Sequence, residues 1–123
     1  MRDIKFRGKA FIGGKWVYGD LHQNGEDCYI IEGHIVRSTP TIPETVGQFT
    51  DVCDKNGKEI FEGDILNTEK YQIVEVIFDN GAFMTRYFLN NGMEHRIMFW
   101  GLGAMEVIGN IHDNPEMLKG AGT

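Results

Sequence analysis

The chain has 123 residues, of which 41% are hydrophobic and 24% charged, with a formal net charge of −6. This leaves room for one domain, or for one small domain with an appended subdomain, around a real core. No apolar run approaches the ~20 residues that cross a bilayer. The opening "MRDIKFRGK" alternates charge with apolar residues where an export signal needs a continuous apolar stretch, so a cytoplasmic protein without a membrane anchor is expected.

Period-2 patterns dominate from the start. Ile4, Phe6, Gly8 and Ala10 alternate with Asp3, Lys5, Arg7 and Lys9, which gives one apolar and one mostly basic face. Gly13-Gly14 marks a hairpin turn, and "KWVYGDL" (15–21) returns with Trp16 and Tyr18 on one side and Val17 and Leu21 on the other. "CYIIEGHIV" (28–36) predicts a second hairpin about Gly33. "STPTIPET" (38–45) has two prolines and no ladder pattern, and is expected to connect a front part, residues 1–45, to a back part, residues 46–123.

The back part is a run of short strands and turns. "GDILN" (63–67), "YQIVEVIFD" (71–79), "AFMTRYFLN" (82–90), "MEHRIMFW" (93–100) and "AMEVIGNI" (104–111) are strands, with turns at "DNG" (79–81) and "NNG" (90–92). Five strands at this spacing predict a small barrel or a strongly coiled sheet. Near the end, Asn114 suits a helix N-cap, Pro115 the first helical position and Gly120 the stop. Several strands carry apolar residues on both faces: Val74, Val76 and Phe78 oppose Tyr71, Ile73 and Ile77. A barrel has one interior, so the surplus must cover the front hairpins, the terminal helix or another subunit.

The densest cluster of polar groups is "DKNGKEIFEGDI" (54–65). A calcium loop with its glycine at Gly57 would place Val52 at the first ligand position and Gly63 at the bidentate glutamate position, so both ends of the cage are missing. Catalytic carboxylate pairs need a pocket and a perturbed pKa, and Lys55 and Lys58 look like solvated partners for Glu59, Glu62 and Asp64. The residues are better explained as a structural turn. Asp54 can accept from backbone N–H groups ahead of it. Asn56-Gly57 supplies positive φ. Ile60 and Phe61 enter the core, Gly63 permits a kink, and Asp64 ties the turn before the strand at Ile65.

Other chemistry-bearing residues are scattered. His22, His34, His95 and His112 have no ligand spacing, and Cys28 and Cys53 have no CxxC partner, so no metal, cofactor or catalytic residue is assigned. Whether the two cysteines meet in space is left open. Charge is uneven: residues 1–45 hold six Lys/Arg and six Asp/Glu, while residues 46–123 hold six and twelve. A net acidic body is poorly equipped to neutralise phosphates. Lys5, Arg7 and Lys9, with Trp16 and Tyr18, form the candidate interaction surface. It is expected to meet a protein partner or the acidic body of a second subunit, with nucleic acid the disfavoured alternative.

"GKWVYGDL" (14–21), "ETVGQFT" (44–50), "DKNGKEIFEGDI" (54–65) and "VIGNIHDNPEML" (107–118) resemble, in order, the signature segments of the YopX family of small phage and prophage proteins. Asp51-Val52-Cys53 departs from it, because a Gly-Leu pair is expected after the threonine; this should alter the local turn but not the fold. The resemblance implies a β-rich front part, an SH3-like barrel from about Gln48 to Ile111, and a bacterial cytoplasm. It implies no reaction. The expected role is protein interaction or self-assembly, not catalysis.

Overall fold

The structure, a computed structural model, describes residues 4–33, 37–88, 94–97 and 102–121. The chain forms two compact units, Met1–Asp51 and Val52–Thr123. Both are built from antiparallel strands, so the protein is mostly β with one short helix. The "NNG" turn, His34 and the end of the strand expected at 93–100 lie outside the described residues.

The first unit contains β1 (Phe6–Lys9), β2 (Trp16–Asn24), β3 (Asp27–Glu32), β4 (Arg37–Thr41) and β5 (Gly47–Cys53). The strands lie in the order β4-β3-β2-β1-β5. In β1 the alternation seen in the sequence becomes register: Arg7 lies opposite Tyr18 and Lys9 opposite Trp16, while Gly8 faces Val17. Val17, Ala10, Cys28 and Ile30 are buried. Residues 38–45 are not the plain connection expected from their prolines. Residues 37–41 form β4 on β3, with Pro40 opposite Tyr29. The strand sits at the sheet edge, where a missing N–H breaks no ladder, which is why proline is tolerated there. Only Pro43–Thr45 behaves as a connector, a single 3-10 turn. Thr45 ties it down by donating to the Ile42 carbonyl at 2.6 Å and accepting from the Lys9 amide at 2.9 Å.

β6 (Glu59–Phe61) belongs to the second unit, and β5 itself ends at Cys53. Asp51 within it has φ of 72°, a left-handed conformation that costs an ordinary side chain energy and that glycine adopts freely. This is the position where the family resemblance leads one to expect glycine.

The second unit adds β7 (Asp64–Thr68), β8 (Gln72–Asp79), β9 (Ala82–Phe88), β10 (Glu94–Ile97), β11 (Met105–Asn110) and α1 (Glu116–Ala121). Its sheet has the order β10-β9-β8-β7-β11. The β8–β9 hairpin closes through Asn80 and Gly81, with φ of 51° and 80°, as the primed hairpin turns require. One face of the sheet holds the core: Ile60, Leu66, Val74, Val76 and Leu102, with Val52, Tyr71, Tyr87, Ile97, Met105 and Val107 packed around them. α1 lies against β8. Its approach is close at Gly109, where a Cβ would come within 2.6 Å of Asn114 Oδ1 and 3.0 Å of Met117 Sδ. The helix starts at Glu116 and runs through Gly120, so Gly120 is not its stop. The Asn114 side chain turns back to accept from the Asn110 amide at 3.3 Å. Among the described residues no ladder joins β10 to β11, so the expected barrel closure is not part of the described sheet.

Asp51→Gly should relieve the left-handed strain and stabilise the protein by up to about 1 kcal/mol. Thermal unfolding reads this as a raised midpoint; an unchanged or lowered one would show that the aspartate side chain compensates locally.

Candidate functional site

The residues singled out for interaction meet on one face of the first unit. β1 and β2 pair so that Arg7 and Lys9 lie opposite Tyr18 and Trp16, with Lys5 just before β1. The Arg7 guanidinium lies 4.6 Å from the centre of the Trp16 ring and the Lys9 Nζ 5.8 Å from it; Lys5 Nζ lies 5.5 Å from the ring of Phe49. Such contacts favour a cation over the negative face of the ring. Arg7 is only 6% exposed, so its charge serves packing more than outward contact. Lys5, Lys9 and Trp16 are half-buried, and Tyr18 is exposed. Further along, His22 on β2 and Tyr29 on β3 have ring centres 6.2 Å apart.

The most exposed apolar residues of this unit were missed in the sequence. Phe11 and Ile12, at the β1–β2 tip, are 69% and 89% exposed. Their only sequence signal was an apolar pair set directly before the turn glycines. The tip is not loose backbone. Ala10 donates to the Lys15 carbonyl at 2.8 Å, Gly14 to Ala10 at 3.1 Å and Phe11 to Pro40 at 2.9 Å.

In the second unit the stretch 54–65 forms a turn at 54–58, β6, and a second turn at Gly63 before β7. Asp54 is buried. Its Oδ1 accepts from the amides of Asn56 and Lys58, both at 2.9 Å, and its Oδ2 accepts from the Val107 amide at 2.9 Å. Gly57, with φ of 82°, closes the turn by donating to the Asp54 carbonyl at 3.0 Å. The Asn56 side chain reaches Glu106 Oε2 at 3.3 Å. Gly63 (φ 93°) donates to Val76 and accepts from Ile111, each at 2.9 Å, and buried Asp64 accepts from the Phe61 amide at 2.8 Å. Burial pushes the Asp54 carboxyl up. The backbone donors, Val107 first, together with the Lys58 charge, outweigh it and hold this carboxyl below the usual aspartate range. A carboxylate engaged in this way is a poor base and a poor metal ligand. Among the described residues no three His, Cys, Asp or Glu side chains converge as a metal site.

Beside the turn lies an open cleft of about 240 Å³, lined by Lys55, Asn67, Thr68, Glu69, Ala104, Met105 and Glu106. Across β8, β9 and β10 runs an ionic chain. Arg86 bonds Glu75 at 3.0 Å and Glu94 at 3.2 Å, and Arg96 bonds Glu94 and Asp79. Hydrogen bonding from Arg96 holds Glu94 below the usual carboxylate range, and Glu94 and then Asp79 hold the Arg96 guanidinium higher. The exposed pairs of Arg96 contribute little to stability, whereas Glu75 is buried beneath Arg86. Cys28 and Cys53 are free thiols, one buried and one exposed. Among the described residues no helix is long and apolar enough to cross a membrane.

The YopX protein family profile matches residues 5–119. The chain is also similar to a solved structure, protein EF1440 from Enterococcus faecalis, at 27% identity and a TM-score of 0.62, over 96% of this chain and 99% of that one. No curated protein matches.

Asp54→Ala leaves three backbone donors short of a partner and should cost about 2 kcal/mol in urea unfolding at neutral pH. The pH dependence has a definite sign. The folded-state pKa of Asp54 is lowered, so its contribution is full above the ordinary aspartate value and is lost as pH falls through the folded one. The stability gap between the wild type and Asp54→Asn should therefore close on acidification; a gap constant with pH would contradict the assignment.

Proposed function

We propose, for a chain that belongs to the YopX family, a function of binding and assembly with no chemical step, carried by the β1–β2 hairpin of the first unit. The observation that supports this most is the exposure of Phe11 and Ile12 at a tip whose backbone is hydrogen-bonded in place. An apolar pair presented this way loses little conformational entropy on docking. Lys9 and Lys15 flank it. The occupant we favour is a second copy of the chain, whose residues 46–123 carry twelve acidic against six basic side chains. Opposite charge would steer the basic hairpin toward that body. The setting is the cytoplasm of a bacterium carrying a phage or prophage.

The second unit fits an SH3-like barrel reading in its strand order. β7 to β10 form a meander and β11 returns beside β7. Such folds commonly serve as scaffolds for binding surfaces, so the order agrees with a binding role but does not define it.

A second reading rests on Tyr18, exposed on the face that carries Lys5 and Lys9, and on the His22–Tyr29 pair beyond it. Aromatic rows beside lysines suit single-stranded nucleic acid. The burial of Arg7 and its engagement with Trp16 weigh against it, because they remove one cation and part of one ring from outward contact.

Light scattering behind a sizing column separates these readings. The wild type should associate as concentration rises. Phe11→Ser/Ile12→Ser should lower that association at least tenfold, and roughly 0.5 M salt should weaken it by screening. A wild type that stays monomeric to the highest concentration would overturn self-assembly. Retardation of a labelled single-stranded oligonucleotide at low salt, lost in Tyr18→Ala, would move the assignment to the second reading.

A further inference from the structure

β11 is an edge strand. It pairs with β7 on one side and, among the described residues, has no strand on the other. An open edge offers unpaired N–H and C=O groups that can template the addition of a further strand. Residues two apart in a strand direct their backbone groups to the same side. On β11 two such residues, Met105 and Val107, each have one backbone group engaged away from the ladder. The Met105 carbonyl accepts from the Lys55 amide at 3.0 Å, and the Val107 amide donates to Asp54 Oδ2 at 2.9 Å. Asn56 adds a side-chain bond to Glu106 between them. Past Val107 the register with β7 shifts before Gly109, a bulge that disrupts a straight edge.

We infer that the Asp54 turn is an edge guard: it occupies two outward backbone groups of β11, the Met105 carbonyl and the Val107 amide, with one main-chain donor and one carboxylate, and so keeps the second sheet from adding a strand. The imitation of a strand is partial. Lys55 supplies the donor a neighbouring strand would supply, and the Asp54 carboxylate replaces that strand's carbonyl. Because the carboxylate also binds the Asn56 and Lys58 amides, the turn and the edge are held by one group. The guard lies wholly in the second unit and does not depend on the hairpin reading.

Two variants test it, both in a Phe11→Ser/Ile12→Ser background so that association through the hairpin is removed. Asp54→Ala takes away the acceptor for Val107. Lys55→Pro removes only the donor to Met105 and leaves the turn intact, because proline suits the second position of such a turn. Amide exchange followed by NMR should show Val107 exchanging at least tenfold faster in Asp54→Ala, while the Gly63 and Ile111 amides, bonded elsewhere, keep their rates. Light scattering should show both variants associating at concentrations where their parent does not. A folded Asp54→Ala chain with unchanged Val107 exchange, or with a freed Val107 and no added association, overturns the inference. If Asp54→Ala does not fold, Lys55→Pro decides: association supports the guard, whereas an unchanged state, or loss of fold here too, overturns it.

Discussion

One carboxylate joins two parts of the chain that are 53 positions apart. Asp54 accepts from Asn56 and Lys58 within its own turn and from Val107 on β11. Buried amides need partners, and a charged acceptor is a stronger one than a carbonyl. The same segment makes a second long-range tie at Gly63, bonded to Val76 on β8 and to Ile111. Together these fix where the start of the second unit lies against its sheet. Ile60 and Phe61, between the two ties, are thereby carried into the interior, where both are buried. In this fold the acid-rich stretch satisfies backbone groups through the Asp54 and Asp64 carboxylates.

Local chemistry made much of this legible. Asn56-Gly57 and Asn80-Gly81 announce turns because few residues tolerate positive φ, and both turns form. The alternation of β1 and β2 matches their register, but the faces do not divide as expected, since Arg7 is buried and Ile4 exposed. The partner of Asp54 on β11 was not legible, since a hydrogen bond across 53 positions leaves no local pattern. β4 was missed because prolines were weighed without knowing that the strand would lie at an edge. The exposure of Phe11 and Ile12 was missed because apolar residues beside a turn normally point inward. The helix runs through Gly120 although glycine is a poor helix former, which shows context overriding propensity.

The candidate interaction face illustrates how a charge pattern divides once folded. Lys5, Arg7 and Lys9 look equivalent in sequence. In the structure Arg7 is buried over Trp16, while the lysines keep part of their surface in water. A planar guanidinium stacks on an indole better than an ammonium does, so the choice of arginine at the buried position has a physical reason. What the face offers outward is therefore two lysines and Tyr18, beside an apolar tip that composition alone did not mark. The second unit contributes acidity and an ionic chain that links Glu75, Asp79, Arg86, Glu94 and Arg96 across three strands.

The account stands on Asp54 being a carboxylate held by backbone donors. The most direct measurement is an NMR titration of the Asp54 side-chain carboxyl carbon in the folded chain, with and without calcium. The account predicts protonation at a pH below the ordinary aspartate value of 3.8, unchanged by the ion. Protonation at or above that value, or a shift of the resonance on adding calcium, would contradict it.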